Sequence, residues 1–171
     1  LLHKIIFTIS LFVILFIGAI TFKHVNNISD SSKAVMQTYD VKLELERLFS
    51  YIKDSESSIR GYLITKDTIY LEPYRNATKN VNTAFLSLKK MTSKSSEQQQ
   101  NLEDLFKIVN KRYDYMKTYT EQNRGVDINR NVNFKKNFRE SSILLVDTRN
   151  KLNEMVNLEE TNLKNRNSEY F

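Results

Sequence analysis

Turns are what this sequence lacks: its 171 residues include 3 glycines and 1 proline. Those two residue types supply the backbone angles that most tight turns need. Few reversals are therefore available, and the elements between them must be long. Long elements in a chain rich in Leu, Lys, Glu and Gln are helices. The many Asn residues point to solvated surface rather than dense core. The chain has no cysteine, which excludes disulfides, thiolate nucleophiles and thiolate metal sites together. The net charge is +6, but acidic residues are interspersed with basic ones, as in Lys42-Leu43-Glu44-Leu45-Glu46-Arg47. A nucleic-acid surface gathers its cations on one face. No such block is visible, so nucleic acid is not an expected partner.

Ile5 to Phe22 runs without a charge. At the helical rise it spans roughly 27 Å, close to the hydrocarbon thickness of a bilayer. His3 and Lys4 precede it, Lys23 and His24 follow it, and polar sequence begins at once. A cleaved signal peptide would carry a shorter apolar region and a small-residue cleavage site, and Gly18-Ala19-Ile20-Thr21-Phe22 is a poor one. The expectation is a transmembrane anchor over residues 1–23 and an extracytoplasmic domain over residues 24–171. The short N-terminal stub favours an N-inside orientation. The lipid bilayer is then the first partner, and a bacterial inner membrane with the domain in the periplasm or extracellular space is the expected location.

Past the anchor, apolar residues recur at threes and fours. The first helix shows Ile28, Val35, Tyr39, Leu45, Phe49, Ile52, Ile59 and Leu63, and breaks at Thr65-Lys66-Asp67. Asp67 is an expected N-cap, and Pro73 follows early enough for its missing N–H to be tolerated. The second helix carries Tyr74, Ala77, Val81, Ala84, Leu88 and Met91 to a turn at Ser93–Ser96. Ser95 with Gln98, or Ser96 with Gln99, reads as a capping box. The third helix shows Leu102, Leu105, Val109, Tyr113 and Met116, and fades at Asn123-Arg124-Gly125, where Gly suits a C-terminal cap. Asp127 could cap the fourth helix, whose repeat is Phe138, Ser142, Leu145, Arg149, Leu152, Val156, Glu159 and Leu163. Met91, Met116 and Met155 read as core filler.

The spacings give inner helices of about 25 residues, or about 37 Å, and outer helices of about 42, or about 63 Å. Short turns force antiparallel neighbours. The expected fold is all-α: an up-down-up-down four-helix bundle with long outer helices one and four, preceded by a transmembrane helix. The overhangs of the outer helices match, so the chain is expected to re-enter the bilayer at or just after Tyr170-Phe171. Their apolar residues (Val25, Ile28, Val35, Val156, Leu163) are too sparse for a two-helix stalk alone, and pairing with a second copy as a parallel homodimer would bury more.

Three charged residues fall on the core-facing period: Glu56, Arg149 and Glu159. Glu56 and Arg60 are four apart in the favourable order for an intrahelical pair. In height along the helices, Arg149 is closest to Glu46 and Arg47. An unpaired buried charge costs several kcal/mol, so seam charges are paired, hydrated or ligand-bound. Two readings fit: a polar layer that fixes register, or a ligand pocket. Tyr62, Tyr70 and Tyr74 gather at the first turn, either as a cap on the bundle end or as a surface for a ligand or partner protein. His3 and His24 lack companion ligands, so no metal site is expected. Glu159-Glu160 has no convergent base or nucleophile, and no phosphate loop, zinc spacing or nucleophile elbow occurs. The expectation is no cofactor and no catalysis in this region.

One stretch is distinctive: Asp54-Ser55-Glu56-Ser57-Ser58-Ile59-Arg60-Gly61-Tyr62-Leu63-Ile64-Thr65-Lys66-Asp67, then Tyr70-Leu71-Glu72-Pro73-Tyr74. It resembles the signature of the type-three CHASE domain: an acidic residue, Arg-Gly-Tyr-Leu, a Thr-Gly-Asp-like turn and Tyr-Leu-Glu-Pro-Tyr. Asp147-Thr148-Arg149-Asn150-Lys151-Leu152-Asn153-Glu154-Met155, with Glu159-Glu160 and Arg166, resembles the family's closing helix. Gln98-Gln99-Gln100 with Leu102 and Leu105 resembles its third-helix opening. Lys66 stands where the family usually has Gly, and Ser57-Ser58 where Thr-Gly is common. The resemblance implies an extracytoplasmic sensory domain between two transmembrane helices, usually on sensor histidine kinases and sometimes on chemoreceptors or cyclases. It carries Glu56, Arg60 and Arg149 over as polar positions and names no stimulus. The leading expectation is signal input by displacement of helix four against helix one; the alternative is an adaptor module that binds a partner protein.

Overall fold

The computed structural model describes residues 2–122 and 132–170. These form four α-helices, α1 (Leu2–Thr65), α2 (Leu71–Met91), α3 (Ser96–Gln122) and α4 (Val132–Tyr170), with a short 3-10 helix at Thr68–Tyr70. There is no strand among the described residues. The anchor and the first bundle helix, expected as two pieces, are one unbroken helix of 64 residues. At 1.5 Å per residue α1 is about 96 Å long. Its N-terminal apolar window is the one segment among the described residues long and apolar enough to cross a membrane, and none of the described residues covers it.

The first reversal is built from local hydrogen bonds. Lys66 takes a left-handed conformation (φ 59°), and its N–H donates to the Tyr62 carbonyl at 2.8 Å, closing α1 as glycine usually does. The Asp67 carboxylate accepts from the Ile69 N–H at 2.9 Å, the cap expected of it, although it starts the 3-10 helix rather than α2 directly. Gly61 is required for a packing reason. The Tyr70 ring returns over it, and a Cβ there would lie 2.6 Å from that ring. At the second reversal Ser95 Oγ accepts the Gln98 N–H at 3.2 Å. Only half of the capping box forms, because the Gln98 side chain turns into the core. The Asn123–Gly125 break and the Asp127 cap lie outside the described residues.

All four helices share one core. Val41, Leu45, Leu48 and Ile52 of α1 meet Val81, Ala84, Phe85 and Leu88 of α2, with Leu102, Leu105 and Val109 of α3 and Leu152 and Met155 of α4. A smaller cluster of Ile59, Leu63 and Met116 lies toward the first reversal, with Tyr74, Tyr113, Tyr115 and Phe138 packed on it. Cross-helix pairs fix the senses of packing. Rising along α1, Lys42 meets Glu160 and Arg60 meets Phe138, so α4 descends. Along α3, Gln98 meets Glu159 and Arg112 meets Ser141, so α3 and α4 also oppose.

The expected stripe on α2 holds and that on α3 holds except at Tyr113, whose place Arg112 takes, but those on α1 and α4 are correct along one line only. Leu45, Ile52 and Ile59 face the core as expected. The second line runs through Ala34, Val41, Leu48 and Ser55 rather than Val35, and the first line continues back to Thr38 rather than Tyr39. Ile28 (66% exposed), Val35 and Tyr39 (65%) face outward. On α4 the buried line passes through Ser141, Thr148, Leu152, Met155 and Glu159, which leaves Arg149 exposed. The physical reason is common to both helices. Small hydroxyl residues take places on these buried lines, and two of them bond to the preceding turn: Ser55 Oγ donates to Ile52 O at 2.7 Å and Thr148 Oγ1 to Leu144 O at 2.7 Å. A polar residue that carries its own acceptor can be buried without a partner from another helix.

Candidate functional site

Two polar layers bound the main core. The first lies between the two apolar clusters. Arg112 of α3 is 1% exposed, and its guanidinium donates to the Glu56 carboxylate of α1 and, through Nε, to the Ser141 carbonyl of α4 at 3.3 Å. Arg60 donates to the other Glu56 oxygen, the intrahelical pair expected from the spacing. Beside them Ser55 Oγ and Tyr113 Oη share a hydrogen bond of 3.1 Å. Burial pushes the Arg112 guanidinium down from its ordinary value, and the Glu56 charge and hydrogen bond pull it back up. Guanidinium remains charged at neutral pH, so the pair is an ion pair tying α1, α3 and α4 together. Burial likewise pushes the Tyr113 and Tyr74 hydroxyls up; the two rings meet edge-on at 6.3 Å.

Arg112 was not among the residues singled out from the sequence. The signal was present: Gln98, Leu102, Leu105, Val109, Arg112 and Met116 follow a strict four-three alternation. Reading Tyr113 into that stripe in place of Arg112 trades one residue of phase for an apolar ring.

The second layer sits beside the α2–α3 turn. Gln98 Nε2 donates to Glu159 Oε1 at 2.9 Å and to the Met155 carbonyl at 2.8 Å. Glu159 is buried, as its position on the repeat implies. Gln99 Nε2 donates to Thr92 Oγ1 at 2.7 Å, and Thr38 Oγ1 and Gln98 Oε1 have no hydrogen-bond partner among the described residues. A groove of about 500 Å³ opens beside this layer, with Glu159, Lys94 and Arg166 on its walls.

Glu56, Arg60 and Arg149 come together, though not as a buried seam. They line an open groove of about 390 Å³ between α1 and α4 with Phe49, Lys53 and Leu145. The Arg149 guanidinium lies 5.8 Å from the Phe49 ring centroid and Lys53 Nζ 5.7 Å from the same ring. This corrects the expectation that Arg149 faces the core at the level of Glu46 and Arg47. Glu159 is at the other polar layer, away from this set. The tyrosine trio separates: Tyr70 covers Gly61, Tyr74 packs inward on the second cluster, and Tyr62 is half-buried. Among the described residues no three His, Asp or Glu side chains could hold a metal ion.

No curated protein and no solved structure matches the chain. The family model of the CHASE3 domain matches residues 31–169, which covers the bundle, both polar layers and the groove between α1 and α4. The chain therefore belongs to the CHASE3 domain family, the extracellular sensory domains of signalling proteins.

Proposed function

We propose that residues 24–171 are the signal-input domain of a membrane-bound bacterial sensor of the histidine-kinase type. In this reading residues 1–23 anchor the chain in the inner membrane and the domain stands in the periplasm or extracellular space. The helices form an up-down-up-down bundle, and a stimulus shifts α4 against α1. The observation that carries the reading is the continuity of α1: an apolar span runs without a break into the helix that forms the core with α4. A rigid rod transmits axial displacement, whereas a flexible linker would absorb it. Such a shift needs a stimulus with different affinities for two arrangements of the bundle. The buried charges of this region serve packing, so no catalysis is assigned to it. Val25, Ile28, Val35 and Tyr39 form an exposed heptad line on α1, the surface through which a parallel homodimer would pair.

The test is a lock. Lys42 and Glu160 pair across α1 and α4 at 2.5 Å, so Lys42→Cys with Glu160→Cys in the intact sensor allows the two helices to be joined by a short thiol-reactive cross-linker that contains a reducible disulfide. Output that stops responding when cross-linked and recovers on reduction supports the reading. Output that responds equally in both states removes it.

A second reading, partner-protein docking, is favoured by one feature. An apolar groove of about 320 Å³ opens between α2 and α3 over Phe85, Leu102 and Phe106, with Leu86 on its rim 71% exposed. Loss of output from Leu86→Glu, in a sensor whose output the lock leaves unchanged, would favour an adaptor role.

A further inference from the structure

The groove between α1 and α4 has a charge composition that the polar layer behind it does not explain. Glu56 is already engaged by Arg112 and Arg60, so its charge is spoken for from within the bundle. Lys53 and Arg149, both exposed, make no ion pair among the described residues; each rests instead against the Phe49 ring. Two cations, Lys53 and Arg149, therefore face one groove whose single carboxylate is already held by Arg112 and Arg60. The volume, about 390 Å³, lies within the range of small-molecule sites. The walls between the cations are apolar, formed by Phe49 and Leu145.

We infer that this groove binds a small organic anion, a carboxylate attached to a flat apolar body. The carboxylate suits the planar fork of Arg149 with Lys53 as a second point charge, and the apolar body lies along Phe49 and Leu145. Inorganic phosphate fits poorly. The groove is walled by the sides of two helices, whose backbone N–H groups are used within each helix, so it lacks the amide donors that cradle phosphate at helix ends. The location bears on signalling, and here the inference rests on the signal-input reading: Lys53 belongs to α1 and Arg149 to α4, so a bound carboxylate bridges the two helices whose displacement would carry the signal.

The test uses the full chain in lipid nanodiscs, at constant ionic strength, with benzoate as the probe, benzamide as its uncharged counterpart and inorganic phosphate as the hydrated anion. Benzoate is expected to raise the unfolding temperature and to shift NMR resonances around Phe49, with benzamide and phosphate producing neither effect. Lys53→Gln and Arg149→Gln remove exposed charges and leave the core intact, which helix content by circular dichroism verifies. Each is expected to weaken benzoate binding about tenfold, the factor set by loss of one charge-assisted contact. Equal effects of benzoate and benzamide, equal effects of phosphate, no benzoate effect at all, or unchanged affinity in both variants would each overturn the site. Benzoate binding with a failed Cys lock would sink the signal-input reading and keep the site; a working lock without benzoate binding sinks the site alone.

Discussion

At the scale of single residues, the most consequential contact is the one between Glu56 and Arg112. Both side chains are largely removed from water, so breaking the pair leaves an uncompensated buried charge. Glu56→Gln is expected to cost about 3–5 kcal/mol of unfolding free energy, read by chemical denaturation. Glu56→Leu with Arg112→Met should recover much of that loss, because apolar replacement of both partners removes the desolvation penalty. An additive double variant would show that the pair is not coupled. Gly61 offers a test with a change of sign. Alanine in a helix gains about 1 kcal/mol over glycine, but here its Cβ meets the Tyr70 ring, and overpacking costs about 1–3 kcal/mol. Gly61→Ala should therefore destabilise the domain, whereas in a Tyr70→Ala background the same change should stabilise it. Lys66, held at positive φ, should gain about 1 kcal/mol on replacement by Gly. The pair Glu56–Arg60 was legible from its spacing of four. Arg112 was legible only to a strict count of the heptad, since hydrophobicity alone passes over a cation in a core stripe.

At the scale of elements, helix number, type and the first two reversal points were readable because few residues in the chain can turn it, and Lys66-Asp67 and Ser95 sit where those turns form. What resisted was rotation about the helix axis. Thr38, Ser55, Ser141 and Thr148 are buried without apolar character, so Val35, Tyr39, Arg149 and Val156 drew the stripe one residue around. The outward heptad on α1 is nevertheless a true periodic pattern that serves a different face. The contact of α2 with α3 near the first reversal has a pH signature. The Tyr74 and Tyr113 hydroxyls have folded values above the ordinary 10.0, so the unfolded chain releases these protons first. Their contribution is complete below pH 10 and is lost as pH rises through the folded values. Unfolding midpoints measured across that range should fall, and should fall less steeply in Tyr113→Phe. Equal slopes in the two proteins would mean that burial of the Tyr113 hydroxyl has no bearing on alkaline stability.

At the scale of the whole molecule, the arrangement is a single long helix that carries an apolar span at one end and a core, two polar layers and a charged groove at the other. Membership in the CHASE3 family assigns that core a sensory role. In the proposed reading, the side-by-side descent of α4 along α1 makes that role mechanical: a ligand or partner that favours one relative height of the two helices would change what reaches the membrane. The measurement that tests this most directly is pulsed electron spin resonance on the membrane-reconstituted chain, diluted with unlabelled copies so that only distances within one copy are read. The chain's lack of cysteine makes the labelling clean. Labels at positions 42 and 160 should lie within neighbouring-helix range, about 10 Å between axes; labels at 42 and 136 should be separated by about 36 Å along the bundle. A short distance for 42 with 136 and a long one for 42 with 160 would place α4 in the opposite sense and contradict the account.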